Sequence, residues 1–329
     1  MRLNNIYIQS IEAVLPVKTT ELSMDIAFRS CAAPNTKGIL NPIQARRLSR
    51  LIKTNLYTSI KALQAAEIEN PDAVLTATGL GCLEDTERFL KDCIVSNEEN
   101  LSPTSFIQST HNTISSQIAI YLKCYGANYT YSQRFFSFEN ALLDTIMMLE
   151  DHSIHNALVN AADELTPEVA DILHRINAAE GMKVVPGEGV LSCVLSSRKD
   201  KNSKAALLLH EYTYHLPQGL NLEAWVLKQL NKANIQSSEV DVLISDQLDA
   251  QASTIFPSAQ KIEYAQYSGQ YFTSSSFAYW IALQVITKQS WPTEYKFPVV
   301  EISKGKYIAI LHQHNHKYYS LSLLANVEA

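Results

Sequence analysis

Two segments of the sequence have helical spacing and almost no polar face. The first spans residues 138–149, and the second spans residues 276–286, which read SFAYWIALQVI. The apolar side chains of the first segment are Ala141, Leu142, Leu143, Ile146, Met147, Met148 and Leu149. A helix that is apolar on all sides is buried on all sides. One such helix in each half of the chain predicts a central layer of helices between two sheets.

Predicted strands alternate with helices along the rest of the chain, which is typical of α/β folds. The strands of the first half are expected at residues 3–15, 72–81, 127–132, 156–164 and 186–198. Those of the second half are expected at residues 205–213, 240–246, 261–268, 297–302, 306–312 and 317–324. This alternation predicts a largely parallel sheet in each half.

Capping and breaking residues mark the predicted helices. The helices are expected at residues 41–68, 82–94, 108–126, 220–234 and 273–288, with a further one that ends at about residue 150. Asn41 is the predicted N-cap of the first, with Pro42 at its first position, and Gly126 is expected to end the third. The polar segment KDKNSK, residues 199–204, is the predicted boundary between a half at 1–200 and a half at 205–329.

Charge and composition argue against several classes of protein. The net charge is −6 without a long basic run, which argues against a nucleic-acid surface. The sequence contains no run of 18 apolar residues that would predict a membrane span. The first residues lack the apolar core of a signal peptide, so a cytoplasmic protein is expected. No cofactor is expected. Scattered cysteines without a CxxC pair are expected to be reduced thiols, and they are Cys31, Cys82, Cys93, Cys124 and Cys193.

The turn between the strand at 127–132 and the apolar helix after it is a place where enzymes hold a nucleophile. The free N–H groups and the dipole at the start of a helix stabilise an anion there. In this chain the turn carries Arg134, Phe135 and Phe136. Phenylalanine neither attacks nor ionises. The flanking Ser132 and Ser137 have no neighbouring base in the sequence and are expected to hydrogen-bond to the backbone.

Five segments occur in an order that resembles the β-ketoacyl synthases of the thiolase superfamily. They read RRLSRLIK, TATGLGCLEDTERFL, LSPTSFIQSTHNTISSQIAIYLKCYGANYT, ALVNAADE and PGEGVLSCVLSS. The resemblance covers residues 1 to about 200 and is thin beyond them. It implies an α/β protein with the thiolase-like five-layer αβαβα fold, made of two similar halves.

The resemblance also implies which positions the reaction needs. In that family a cysteine at the strand-to-helix turn attacks an acyl thioester, and two histidines from the second half stabilise the charge that develops. The corresponding residues here are Phe135 for the cysteine, Asp246 for the first histidine and Gln270 for the second. Ala265 stands in place of a nearby lysine. The resemblance therefore predicts a degenerate site with no catalytic residue.

Shifting the alignment by several residues does not restore the missing groups. No cysteine occurs between Cys124 and Cys193, and no histidine occurs between His215 and His312. The glycine-rich C-terminal loop of the family has no counterpart in LHQHNHKYYSLSLL. We therefore expect that no imidazole of the second half approaches the turn.

A ketosynthase-like chain without a nucleophile resembles the chain-length factors of type II polyketide synthases. Short proteins of this kind in aryl polyene and flexirubin-type pigment systems are the nearer match. The resemblance predicts a non-catalytic subunit that forms a heterodimer with an active β-ketoacyl synthase. It would shape the acyl tunnel in polyketide, polyene pigment or fatty-acid-type biosynthesis. A bulky aromatic residue at the cysteine position and the short chain depart from the chain-length-factor pattern.

The expected partners follow from the same resemblance. The family pairs one strand across the dimer two-fold, and its counterparts here are Ala127, Asn128, Tyr129, Thr130, Tyr131 and Ser132. Acyl carrier protein is a further possible partner. Like charges steer an acidic carrier away from an acidic chain, but a basic patch at Arg46, Arg47 and Arg50 can offset this. A homodimer is possible in isolation.

Phe135, Phe136 and His111 are the candidates for the wall of the acyl tunnel. In the alternative interpretation the two phenylalanine rings fill the space left by a lost active site, and His111 is structural. Two other functions stay open. One is an enzyme with rewired catalysis, an acyltransferase or hydrolase that uses a serine, Asp246 or His111. The other is a homodimer that binds an acyl chain without turnover.

Alternate histidines near the C-terminus form a separate motif. In a strand, His312, His314 and His316 project from the same face, and imidazoles with this spacing can bind zinc. A zinc site needs a further ligand that the sequence does not identify. We therefore expect exposed or hydrogen-bonded side chains on a surface strand and no metal site.

Overall fold

The computed structural model describes residues 3, 6–21, 27–179, 185–248, 250–287, 307–315 and 317–327 of the chain. Within these residues, no helix combines the length and the apolar character needed to cross a membrane. The predicted strand at residues 297–302 lies outside the described residues.

The first half of the chain alternates strands with helices after an initial long strand. Its elements are β1 (Tyr7–Val14), β2 (Pro16–Glu21), β3 (Ala27–Cys31), α1 (Pro42–Ala45), α2 (Arg50–Ala66), β4 (Ala73–Ala77), α3 (Leu83–Val95), α4 (Pro103–Ser109), α5 (Thr113–Leu122), β5 (Ala127–Tyr131), α6 (Ser137–Glu150), β6 (Asn156–Asp163), α7 (Pro167–Ala179) and β7 (Gly189–Ser196). A short 3₁₀ turn at Arg134–Phe136 connects β5 to α6.

The second half repeats this alternation with fewer helices. Its elements are β8 (Ala205–Thr213), α8 (Leu222–Lys232), β9 (Val240–Ser245), α9 (Ala250–Ile255), β10 (Gln260–Glu263), α10 (Ala265–Ser268), α11 (Ser275–Thr287), β11 (Tyr307–His314) and β12 (Tyr318–Asn326). The polar segment at residues 199–204 lies between β7 and β8. The division of the chain into two domains there stays a prediction.

Ten of the described strands form one continuous hydrogen-bonded sheet. The sheet consists of two five-stranded parts that have the same strand order. The first half contributes β5-β4-β6-β7-β1, and the second contributes β10-β9-β11-β12-β8. The pairs Tyr7–Ala206 and Ile8–Ala205 join β1 to β8. The repeated order confirms that the fold consists of two similar halves.

Adjacent residues of a strand point to opposite faces, and they define the layers. Leu75 of β4 packs in a central core with α6 and α11, whereas Val74 packs on the other face against α2 and α5. In β9, Val242 faces the same central core, and Leu243 packs against α8 and α9. The layers are therefore helices, the strands of the first half, the central helices, the strands of the second half, and helices, as expected for the five-layer fold.

The prediction of largely parallel sheets was wrong for half of each sheet. The parallel pairs are β4–β5, β4–β6, β9–β10 and β9–β11, whereas β1–β7, β6–β7, β8–β12 and β11–β12 are antiparallel. β11 and β12 are joined by a short turn with Asn315 in the left-handed region (φ 50°). A turn of this length reverses the chain, because a parallel neighbour needs a crossover connection.

Two predicted helices are each divided in the structure. Asn41 caps only the short helix α1, where its Oδ1 accepts from the N–H of Ile43 at 3.0 Å. Ser49 caps the longer α2, and its Oγ accepts from the N–H of Ile52 at 3.2 Å. A second N-cap fixes a second helix start, so the region forms two helices.

The segment predicted as one helix at 108–126 is also interrupted. α4 ends at Ser109, α5 begins at Thr113, and α5 ends before Lys123, which adopts the left-handed conformation with φ 55°. Gly126 therefore does not end the helix. A Cβ at position 126 would overlap the carbonyl oxygen of Asp72, so the glycine permits a close approach of two backbone segments.

The two apolar helices differ in their burial. α11 is buried from Ser275 to Ile286, as predicted. α6 is not buried on all sides, since Met147 is 56% exposed. α6 packs on β4, β5 and β6, and β5 is the edge strand of the sheet. One side of α6 is therefore not covered by the described elements of this chain.

Candidate functional site

Hydrogen bonds between serine hydroxyls and backbone groups fix the turn that joins β5 to α6. Arg134 has a left-handed backbone with φ 52°, which is uncommon for a residue other than glycine. The Oγ of Ser137 accepts from the N–H of Gln133 at 2.9 Å and donates to the carbonyl of Arg134 at 2.7 Å. Ser132 donates to the carbonyl of Gly79 at 3.3 Å. Both serines hydrogen-bond to the backbone, as the sequence predicted.

The ring of Phe135 lies in a cluster of aromatic side chains from the second half. It stacks on the imidazole of His314 with 3.5 Å between ring centroids and an interplanar angle of 23°. Phe272 lies 4.8 Å away and Tyr318 lies 5.8 Å away, both tilted against the ring. The position predicted for the nucleophile is therefore packed between rings.

Phe136 points to a different set of neighbours. Its buried ring packs at 4.8 Å from Tyr212 and at 4.9 Å from Tyr318, and Tyr214 lies edge-on at 6.4 Å. Phe136 is thus a core residue between α6 and the strands β8 and β12. Of the two phenylalanines, Phe135 alone lines the cavity described below.

An imidazole of the second half does reach the turn, contrary to expectation. β11 extends to His314, two residues beyond the predicted strand end, and it is an inner strand of the sheet and not a surface strand. His312 and His314 are buried, and both are hydrogen-bonded, which was one of the two expectations for them. The expectation failed because it considered only the span between His215 and His312, where the family motifs lie, whereas the histidine that reaches the turn is in β11. Pairing of β11 with β9 and β12 brings a different strand end to the same place. His316 lies outside the described residues.

Gln270 binds the imidazole that stacks on Phe135. Its Nε2 lies 2.7 Å from Nδ1 of His314, and an amide N–H there donates to the ring nitrogen. Burial lowers the pKa of His314 to about 4, so the ring is neutral at pH 7. The remaining proton then resides on Nε2. His314 can donate one hydrogen bond but carries no positive charge.

Asp246 lies in a second buried cluster with His312 and Tyr264. The hydroxyl of Tyr264 is 2.7 Å from Nδ1 of His312, and Oδ2 of Asp246 is 3.8 Å from the same atom. The N–H of Gln313 donates to Oδ1 of Asp246 at 2.9 Å. Burial raises the pKa of Asp246 to about 8, and it lowers the pKa of His312 to about 3. Both groups are therefore mainly uncharged at pH 7.

Replacing Asp246 by asparagine is expected to stabilise the protein in alkaline solution. A carboxyl group whose pKa is raised in the folded state contributes stability at low pH, and this contribution is lost as the pH rises through about 8. An amide does not ionise. The free energy of unfolding of the variant, relative to that of the wild type, should rise by about 1.4 kcal/mol per pH unit from about pH 4, where the carboxyl group of the unfolded chain ionises, to about pH 8, and it should level off above pH 8.

The measurement is urea unfolding at pH 5, 6, 7, 8 and 9, followed by circular dichroism. Burial also raises the pKa of Glu139 to about 7 and that of Glu164 to about 8, so both proteins should lose stability in this range. The difference between the two proteins isolates Asp246. Parallel profiles would show that Asp246 is already ionised in the folded protein.

His111 lies apart from these clusters. It occupies the exposed turn between α4 and α5, next to Gly81. It does not line the cavity at Phe135. His111 is therefore not part of this cavity, and its role in the wall of an acyl tunnel stays a prediction.

The cysteines and the histidine motif provide no metal cluster among the described residues. In that part of the chain, no three or more side chains of His, Cys, Asp or Glu are grouped to hold a metal ion. Cys193 is buried, and burial raises the pKa of its thiol. The thiol of Cys124 donates to the carbonyl of Pro71 at 3.1 Å. A buried or hydrogen-bonded thiol of this kind is a poor nucleophile.

The predicted interface strand lies at the edge of the sheet. β5 pairs with β4 in parallel, from Ala73–Ala127 to Ala77–Tyr131, and its other edge has no partner among the described strands. Tyr129 in the middle of β5 is 52% exposed. Unpaired edge strands of this kind readily accept another strand.

A cavity of about 300 Å³ opens beside Phe135. We call it the aromatic cavity, since its walls include the rings of Phe135, Tyr214, Tyr271, Phe272, His314 and Tyr318. Phe135 was predicted as a pocket residue and Gln270 as a degenerate site position, whereas the other aromatic residues of the cavity were missed. Tyr271 and Phe272 follow Gln270 directly, Tyr214 follows β8, and His314 and Tyr318 lie in β11 and β12. No local pattern shows that these segments meet.

Comparison with known proteins adds to this description. The profile of the β-ketoacyl synthase N-terminal domain matches residues 24–241. A comparison with curated proteins finds no match. Among solved structures, the ishigamide ketosynthase/chain length factor is similar with a TM-score of 0.79 and 15% identity, over 98% of this chain and 100% of that chain.

Two further structures show the same likeness. A β-ketoacyl synthase from Burkholderia phymatum has a TM-score of 0.77 and 11% identity, over 98% of this chain and 100% of that one. A ketosynthase in complex with its chain length factor from Xenorhabdus doucetiae has a TM-score of 0.72 and 13% identity, over 98% of each chain. At these identities the likeness concerns the thiolase-like fold. Since the sequence profile matches more than half of the chain and the fold agrees with it, the chain belongs to the β-ketoacyl synthase family.

Proposed function

We propose that this chain is a non-catalytic, chain-length-factor-like subunit that pairs with an active β-ketoacyl synthase. The observation that carries the proposal is the packing of Phe135 against His314 and Phe272 at the turn where the family holds its nucleophile. A phenylalanine there removes the covalent step of the reaction. The subunit would shape the acyl tunnel in polyketide, polyene pigment or fatty-acid-type biosynthesis.

The surrounding groups support the loss of catalysis. His314 is neutral and is bound by Gln270, while Asp246 and His312 form a separate buried cluster. Ser132 and Ser137 form hydrogen bonds with backbone atoms, and no base among the described residues is hydrogen-bonded to either hydroxyl. No described group therefore favours the alternative of a rewired acyltransferase or hydrolase.

The exposed edge of β5 supports a partner chain. An edge strand with an exposed tyrosine at its centre offers both unpaired backbone groups and apolar surface. Two of the similar structures are described as a ketosynthase with a chain length factor. We extend that association to this chain, with an active ketosynthase as the partner and β5 at the interface.

Co-expression with an active β-ketoacyl synthase from the same organism is expected to yield a stable heterodimer on size-exclusion chromatography. Replacing Tyr129 by arginine should weaken the pairing by about tenfold or more, since it places a charge at the centre of the interface. The matched control is Ile172→Arg, a 46% exposed apolar residue of α7, which should leave pairing unchanged. Separate elution of the two wild-type chains at micromolar concentration would refute the proposal.

Acyl carrier protein is the second proposed partner. Arg46 and Arg47 lie in the exposed turn between α1 and α2 and would attract an acidic carrier. Arg50, the third residue of the predicted patch, is not available, because it forms ion pairs with Glu84 at 2.6 Å and Glu188 at 2.9 Å. The patch for a carrier protein is therefore smaller than the sequence indicated.

A further inference from the structure

The aromatic cavity has the size of a small-molecule site. Its volume of about 300 Å³ lies at the lower end of the range for ligand pockets. The covalent step of the family does not use this space, since Phe135 prevents covalent attachment of an acyl group. A cavity that persists beside a lost nucleophile is free to bind a ligand reversibly.

The walls of the cavity favour a flat ligand. Phe135 and Phe272 lie 4.8 Å apart, and Tyr214 and Tyr318 lie 4.9 Å apart, so rings meet one another at several orientations. The Gly189 backbone lies directly against the hydroxyl end of Tyr271, which fixes that ring. Fixed aromatic faces stack well on another planar π system.

Two cationic side chains complete the lining. Arg134 and Lys317 are exposed at the cavity, and neither forms an ion pair with a carboxylate of the described residues. Two exposed positive charges therefore lie beside the aromatic walls of this cavity. They favour a ligand that carries a negative group.

The acidic residues that line the cavity do not cancel these charges. Asp163 already accepts hydrogen bonds from Thr78, Gly79 and Thr273. Glu164 lies 3.3 Å from Arg50, and burial raises its pKa to about 8, so it is mostly protonated at pH 7. Both carboxyl groups are buried, so the charged side chains exposed at the cavity are Arg134 and Lys317.

We propose that the aromatic cavity binds a planar aromatic carboxylate, with its ring against Phe135 and Phe272 and its carboxylate at Arg134 and Lys317. The imidazole N–H of His314 is available as a neutral hydrogen-bond donor to the same ligand. A saturated fatty acid would satisfy the charge but would not stack on the rings.

The test is isothermal titration calorimetry of the isolated full chain with cinnamate, cinnamyl alcohol and octanoate. Cinnamate is expected to bind about tenfold more tightly than cinnamyl alcohol, which lacks the charge, and several-fold more tightly than octanoate, which lacks the ring. Octanoate binding as tightly as cinnamate would overturn the proposal. Because no partner is present, failure here leaves the proposed pairing with a ketosynthase untouched.

Two variants assign the binding to the cavity. The double variant Arg134→Gln, Lys317→Gln should bind cinnamate about tenfold more weakly, whereas Lys37→Gln, Lys91→Gln makes the same charge change at exposed positions outside the cavity and should not alter binding. Phe135→Leu should weaken cinnamate binding and leave octanoate binding unchanged. Equal cinnamate affinity in the wild type and the Arg134, Lys317 variant would exclude this cavity as the site.

Discussion

Replacing Asp163 by alanine is expected to lower the free energy of unfolding by about 3–5 kcal/mol. This carboxylate is buried at the end of β6 and accepts hydrogen bonds from the N–H of Gly79 at 2.7 Å and the N–H of Thr273 at 2.9 Å. The hydroxyls of Thr78 and Thr273 also donate to it, at 3.2 and 2.8 Å. Alanine would leave two buried backbone N–H groups without an acceptor.

The expected loss is large because Asp163 joins the two halves. Gly79 follows β4 of the first half, whereas Thr273 precedes α11 of the second half. Thr273 is adjacent to Phe272, whose ring packs on Phe135 and lies so close to Gly79 that no Cβ fits there. Release of Thr273 should therefore also loosen the aromatic cavity.

Urea unfolding of the Asp163→Ala variant at pH 7 measures this effect. Asp163→Asn, which keeps one acceptor oxygen, should lose less stability than Asp163→Ala. Asp92→Ala, which removes an exposed carboxylate from α3, is the control and should change little. A stability of Asp163→Ala equal to that of the control would show that water replaces the lost acceptor.

Replacing Arg50 by methionine should lower the free energy of unfolding by about 3 kcal/mol. Its guanidinium lies at the start of α2 among three carboxylates, at 2.6 Å from Glu84, 3.3 Å from Glu164 and 2.9 Å from Glu188. Glu188 also accepts from the N–H groups of Cys31 and Leu165. Without the cation, the carboxylate of Glu188 would remain buried beside Glu164 without its guanidinium partner.

Differential scanning calorimetry of Arg50→Met gives the measurement. Lys201→Met is the matched control, since Lys201 pairs with Glu67 at 2.7 Å on the surface, where water screens both charges. We expect a clear fall in the melting temperature for Arg50→Met and little change for Lys201→Met. Similar melting temperatures in the two variants would mean that the buried carboxylates become protonated without cost.

The sequence predicted element types well where the hydrophobic pattern was strong. β4, β6, β7 and α11 occur close to their predicted positions, because burial on both faces or all sides selects continuous apolar runs. The helix interruptions near Ser49 and between α4 and α5 were missed, since a capping residue inside a helical pattern does not by itself stop the helix. The antiparallel pairs were missed because alternation of strands and helices does not fix strand direction.

The candidate site was also predicted only in part from the sequence. Phe135 was placed at the strand-to-helix turn from local sequence, and the turn is there. His314 was expected on an exposed strand, yet it stacks on Phe135, and Asp246 lies with His312 in a different cluster from Gln270. These contacts join residues far apart in the chain, so neither spacing nor composition reveals them.

By itself the sequence determined that apolar helices form the centre of the protein and that the turn before the first of them carries no nucleophile. These properties depend on residues within one helix or one turn. Only the tertiary structure decided that Asp163 ties the halves together, that Arg50 is neutralised and that aromatic residues of the second half enclose a cavity at Phe135. Such contacts depend on the register of strands and the packing of layers, which bring together groups separated by 100 residues or more in several cases, for example Asp163 and Thr273.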